Sequence, residues 1–64
     1  MRDSYQESVY REIMRSQALL GERSAALKTY HRLAKHLEEE LGAGPAAETT
    51  AVYEQILQGR IGPG

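Results

Sequence analysis

Histidine and serine are the residue types in this sequence that could perform acid–base or nucleophilic chemistry. The 64 residues include two histidines, His31 and His36, and no cysteine. Five residues apart on a helix, the two rings point about 140° apart around the axis, so they do not form an i, i+4 metal pair. There is no H-E-x-x-H, no glycine-rich phosphate loop and no nucleophile elbow. We therefore predict no enzymatic activity, no metal and no cofactor.

A cluster of positive charge could instead contact an anion or a nucleic acid. Lys28, Arg32 and Lys35 stand beside the two histidines, but the chain as a whole has 8 basic and 9 acidic residues. Nucleic-acid binding depends on clustered Lys and Arg that displace counterions. Overall neutrality therefore favours a solvated face, and it argues against a DNA-binding helical domain, which stays open as an alternative.

The histidines and the basic residues beside them must be positioned by helices. Apolar residues recur at steps of three and four through most of the chain, and no stretch alternates as a strand would. We predict helices over residues 3–20, 24–41 and 47–58, which together form one all-α module over residues 1–58. Residues 59–64 are expected to be a flexible tail.

Local signals set the expected helix ends. Asp3 with Gln6 three residues later is a capping-box start, and Gly21 ends the first helix. Gly42 suits the left-handed residue that closes the second helix, and Pro45 prevents its continuation. The predicted apolar face of the first helix is Val9, Tyr10, Ile13, Met14, Gln17 and Leu20. That of the second is Ala26, Leu27, Tyr30, Leu33, Ala34, Leu37 and Leu41, and that of the third is Val52, Tyr53, Ile56 and Leu57.

The small size of the chain bears on partners. About 60 residues bury only about 60% of the unfolded surface, and this chain has no cysteine to add a disulfide. A protein partner or a self-dimer is therefore expected. No apolar run approaches the roughly 20 residues of a membrane span, so we expect a soluble, cytoplasmic protein.

The first two predicted helices resemble one tetratricopeptide (TPR) unit. Gly21, Ala26 and Tyr30 match that repeat's turn glycine, its small residue and its aromatic packing position, and Tyr10 and Ile13 fall where its first helix carries large apolar residues. The resemblance implies an antiparallel helical hairpin, with the third helix packed against it.

A longer stretch, about residues 10–57, is similar to the end of the bacterial transcriptional activator domain of SARP-type regulators. The resemblance rests on Gly21, Ala26-Leu27, Tyr30, Leu33, Leu37, Glu39-Glu40-Leu41-Gly42, Pro45, Glu48-Thr49 and Val52-Tyr53-Glu54-Gln55-Ile56-Leu57. The chain departs from the family at Ala46-Ala47, where a Ser-Pro pair usually supplies an N-cap and an N1 proline. The third helix should therefore start less firmly.

The TPR resemblance implies a partner surface on the inner face of the first helix, formed by Ser8, Arg11, Arg15, Ala18 and Leu19, with Tyr10 as a further interface candidate. Arg11 and Arg15 are one turn apart and could hold a carboxylate. The alternative is two solvated arginines that pair with Glu7 and Glu12. For Tyr10, packing inside the module is favoured over a place in an interface.

The resemblance implies a non-catalytic interaction or regulatory segment of a SARP-type activator that works by helix packing or self-association. Its partners would be a second copy or a neighbouring domain of a parent regulator. DNA would be bound by a winged-helix domain that these 64 residues do not contain. A generic TPR adaptor that binds peptides, unrelated to transcription, is the alternative.

Overall fold

The computed structural model describes residues 4–62, with side chains from Glu7 onward. It contains three helices, α1 (Ser4–Leu19), α2 (Arg23–Leu41) and α3 (Ala47–Leu57), and no strand within that range. The predicted all-α class is confirmed. The predicted cap at Asp3 lies outside the described residues. No helix in the described part of the chain is long and apolar enough to cross a membrane.

The turn between α1 and α2 is as short as the sequence predicts. Gly21 adopts a φ of 81°, a left-handed conformation that glycine reaches without steric cost. Its N–H donates to the Ala18 carbonyl at 3.0 Å, and the N–H of Glu22 donates to the Gln17 carbonyl at 2.8 Å. These two bonds form a Schellman motif, which satisfies the last carbonyls of α1 and reverses the chain within three residues.

Contacts at the helix ends fix the directions of the three helices. The side chain of Glu7, near the start of α1, binds Ala46 at the start of α3, so these two helices run in parallel. Arg23, which begins α2, approaches Gly59 just after α3. Helix α2 is therefore antiparallel to both of its neighbours, and each helix packs against the other two.

The core lies where the three helices meet. Met14 and Ala18 of α1, Ala26 of α2, and Val52 and Ile56 of α3 form one buried cluster. Small alanines on α1 and α2 let the hairpin helices approach closely, while the larger side chains fill the space beneath α3. The sequence correctly places four of these five residues on apolar faces.

On α1 the predicted apolar face is only partly right: Met14 is in the core and Tyr10 and Gln17 are half-buried, but its other members are not. Val9, Ile13 and Leu20 are exposed, whereas Glu7 and Ala18 are buried. Helix α3 packs beside Glu7 and Ala18, so the buried side of α1 is rotated towards it. The predicted apolar face is too wide for two neighbouring helices to cover, and its far edge remains in solvent. On the other helices Leu41 and Leu57 are exposed as well.

After α3 the chain contacts the end of that helix, the core and α1. The N–H of Arg60 donates to the Gln55 carbonyl at 2.8 Å, and Ile61 is half-buried against the core cluster. A Cβ at Gly62 would lie 3.4 Å from the carbonyl oxygen of Ala18. Residues 59–62 thus lie under the end of α1. Flexibility of the tail stays a prediction, and residues 63–64 lie outside the described part.

Candidate functional site

A buried carboxylate holds the start of α3 against α1. Glu7 is 8% exposed, and its two oxygens accept the N–H of Ala46 at 3.0 and 3.3 Å. The hydroxyl of Thr49, which is 0% exposed, donates to the Glu7 carboxylate at 2.6 Å. Ala46 is the N-cap of α3 and has no side chain that could cap the helix. A glutamate from α1 therefore binds the N–H that a capping-box glutamate within α3 would bind.

Arg11 completes this polar cluster one turn along α1. Its Nη1 donates to the Thr49 hydroxyl at 2.9 Å and lies 3.9 Å from a carboxylate oxygen of Glu48. Thr49 thus accepts from Arg11 and donates to Glu7, which orients its single hydroxyl proton. The Glu48 side chain is mostly exposed, so that ion pair contributes little. The guanidinium acts chiefly in docking α3.

The contact between α2 and α3 is aromatic. Tyr30 and Tyr53 are stacked, with ring centroids 4.0 Å apart and an interplanar angle of 16°. His31 packs edge-on against both rings, and its Nε2 lies 3.5 Å from the Tyr53 hydroxyl. The Tyr30 hydroxyl lies 3.1 Å from that of Thr50. Both tyrosines are half-buried, so this group closes the edge of the core and leaves His31 in solvent.

The residues predicted as a partner surface are separated by the fold. Ser8, Arg15 and Leu19 are exposed on α1 and share one side of the helix. Ala18 is buried in the core and cannot touch a partner while the helices remain packed. Arg11, bound to Thr49, is half-buried, as is Tyr10.

A second exposed surface on α1 is more apolar than the predicted one. It consists of Val9, Ile13, Ser16 and Leu20, and we name it the α1 seam. Val9 is 54% exposed, Ile13 41% and Leu20 73%. The sequence analysis predicts Val9, Ile13 and Leu20 as part of a core face. The width of that face could have distinguished the exposed residues from the core residues. The apolar residues of α1 extend over about 140° of the helix circumference, which is more than its neighbours cover.

The buried polar side chains of the described residues are all hydrogen-bonded. No group of three or more His, Asp or Glu within residues 4–62 could hold a metal ion. The buried polar residues hold helices together: Thr29, for example, donates to Gln17 at 2.7 Å or to the Ala25 carbonyl at 3.0 Å.

The architecture defines a small module of three packed helices. Comparison with known families matches residues 1–57 to the bacterial transcriptional activator domain. The chain belongs to this family, so the predicted family is confirmed.

Curated relatives agree with the family match. The chain is 41% identical over 54 residues to Transcriptional regulatory protein MoaR1 of Mycobacterium bovis (strain BCG / Pasteur 1173P2). The same identity and length hold for the protein of that name from Mycobacterium tuberculosis (strain ATCC 25618 / H37Rv). The matched region is 84% of this chain and 17% of each relative, so the chain spans a small part of their length. No solved structure matches the chain.

Proposed function

We propose that this chain is a non-catalytic protein-interaction segment of a SARP-type transcriptional activator, working through helix packing and self-association. One observation carries the proposal: a member of the activator family exposes large apolar side chains along α1 from Val9 to Leu20. In a chain of 64 residues with a small core, covering such a surface is a direct route to greater stability.

The polar groups support a structural role over a catalytic one. The Glu7, Arg11 and Thr49 side chains bind one another and the start of α3. His31 lies edge-on against the rings of Tyr30 and Tyr53. Acyl or phosphoryl transfer would need a nucleophile beside an oriented base and within reach of a substrate, whereas the Thr49 hydroxyl beside Glu7 is 0% exposed.

Charge supports a protein partner. The formal charge of the chain is −1, and glutamates 38–40 follow directly on the basic residues of α2. In this proposal a winged-helix domain elsewhere in a cytoplasmic parent regulator binds the DNA, and this segment contributes the protein contacts. Membership in the activator family favours this role over that of a generic TPR adaptor for peptides.

Sedimentation velocity across micromolar concentrations, with circular dichroism to verify folding, tests the self-association. We expect a reversible dimer, and a folded chain that sediments as a monomer throughout would overturn that part of the proposal. A gel shift with duplex DNA at moderate salt tests the assignment of DNA binding to another domain. We expect no shift, and a salt-sensitive shift would overturn it.

A further inference from the structure

The four residues of the α1 seam follow the spacing of a coiled-coil contact. Val9, Ile13, Ser16 and Leu20 are separated by steps of four, three and four residues, an average close to the 3.5 residues of a heptad. Leu20 stands one residue past the end of α1, but its N–H still bonds to the Ser16 carbonyl at 3.0 Å, so it continues the helical path. The seam is therefore a straight apolar line along the helix.

We propose that the α1 seam is the surface through which two copies of this chain associate, with their α1 helices antiparallel. This inference rests on the proposed self-association and assigns it a surface and a register. In that register Val9 of one copy packs against Leu20 of the second copy. Ile13 packs against Ser16 of the second copy, and the two-fold axis repeats both contacts.

Side-chain size favours this register. Ile13 is the large β-branched residue near the middle of the seam, and Ser16 is the small one. Placing Ile13 over Ser16 of the second copy fills the space that the serine leaves, and it does so twice. Aligning the copies with Ile13 on Ile13 would set two large side chains together at the centre and leave the serines without a filling neighbour.

The flanks of the seam add no like-charge repulsion in this register. Tyr10 and Gln17 lie on one flank, and Glu12 and Leu19 lie on the other. Antiparallel helices bring Tyr10 near Gln17 of the second copy, and Glu12 near Leu19 of the second copy. A second copy therefore fits the surface without opposing two glutamates or two arginines.

The module presents the seam on a rigid element. The opposite side of α1 is fixed to α3 by Glu7, and Gln17 accepts the Thr29 hydroxyl of α2 at 2.7 Å. Each seam extends over residues 9–20, about 17 Å at 1.5 Å per residue. Docking needs no rearrangement of the core, so little ordering entropy opposes it.

The absence of native cysteine makes the register measurable by cross-linking. Val9→Cys and Leu20→Cys chains, mixed and oxidised, should form a Val9–Leu20 heterodimer cross-link in high yield. Val9→Cys alone should form little, because in this register the two copies of residue 9 lie about 16 Å apart along the axis, beyond disulfide reach. Efficient homodimer cross-linking of Val9→Cys, or no cross-link in the mixture although the chain dimerises, overturns the register.

Charge substitution tests the surface separately from the register. Ile13→Arg should raise the dimer dissociation constant at least about tenfold, because the docked interface would bury an unpaired guanidinium. The matched control is Leu57→Arg on α3, whose side chain is 47% exposed and lies outside the seam. If Leu57→Arg dissociates the dimer and Ile13→Arg does not, the seam is wrong while self-association stands. If the unsubstituted chain is a folded monomer, both proposals fail together.

Discussion

Replacement of Glu7 by alanine removes the carboxylate that joins the starts of α1 and α3. The substitution deletes the acceptor for the Ala46 N–H, at 3.0 and 3.3 Å, and for the Thr49 hydroxyl, at 2.6 Å. Thr49 is fully buried, so its hydroxyl proton has no water to replace the lost acceptor. The Thr49 oxygen still accepts from Arg11, but the Ala46 N–H and the Thr49 O–H each lose their acceptor.

The expected cost follows from the burial of these groups. Hydrogen bonds to a charged partner contribute about 1.5–3 kcal/mol, and loss of an N-cap interaction costs roughly 0.5–2 kcal/mol. Because both losses concern one carboxylate, they overlap, and we expect the free energy of unfolding to fall by about 2–3 kcal/mol. A domain of this size has a total stability of roughly 3–10 kcal/mol. Glu7→Ala should therefore lower the melting temperature by roughly 10–20 °C.

Thermal and urea denaturation followed by circular dichroism at 222 nm measures this loss. Glu12→Ala is the matched control, since Glu12 lies in the same helix with its side chain in solvent. It should change the free energy of unfolding by less than about 0.5 kcal/mol. Glu7→Gln should fall between the two, because an amide oxygen in the place of Oε1 still accepts from Ala46 and Thr49, whereas an amide nitrogen in the place of Oε2 cannot accept the longer Ala46 bond and the charge is lost. Equal stability of the Glu7→Ala and Glu12→Ala chains would refute the reasoning.

Three further substitutions test other parts of the fold by the same denaturation assay. Thr29→Val should cost about 1 kcal/mol, because it removes the hydroxyl that donates to Gln17, and a change near zero would contradict the role of that bond. Gly42→Ala should cost about 1 kcal/mol through its φ of 66°, whereas Gly44→Ala, with no Cβ neighbour within 4 Å and no positive φ, should not destabilise the chain. Ala46→Ser should stabilise the chain by roughly 0.5–2 kcal/mol by capping N–H groups in the first turn of α3.

Helix boundaries could be predicted from the sequence because their signals are local. Gly21 and Gly42 adopt the left-handed conformations that end α1 and α2, and Pro45 stands in the connector to α3. The predicted start at residue 3 lies outside the described residues, and every other end of the predicted ranges 3–20, 24–41 and 47–58 lies within one residue of the observed helix end. Turn chemistry is decided by a residue and its nearest neighbours, so no tertiary information is needed.

The polar cluster could not be predicted in the same way. Glu7 and Thr49 are 42 residues apart, and each is of a type that usually lies in solvent. Their burial depends on where α3 crosses α1, which periodicity does not determine. The sequence did contain one hint, because the missing Ser-Pro pair at Ala46-Ala47 leaves the start of α3 without its own cap. A group from elsewhere in the fold could then satisfy that helix end.

In the proposed association, the two sides of α1 have separate roles. The side with Glu7 and Ala18 holds α2 and α3, so substitutions there should act on folding. Val9 and Leu20 on the other side are mostly exposed and lie outside the core cluster, so substitutions there should act on the proposed association and leave unfolding largely unchanged. A single apolar face on α1 would couple the two effects. Because the structure divides them, loss of association in a folded chain can be assigned to the α1 seam, and loss of folding to the polar cluster on the opposite side.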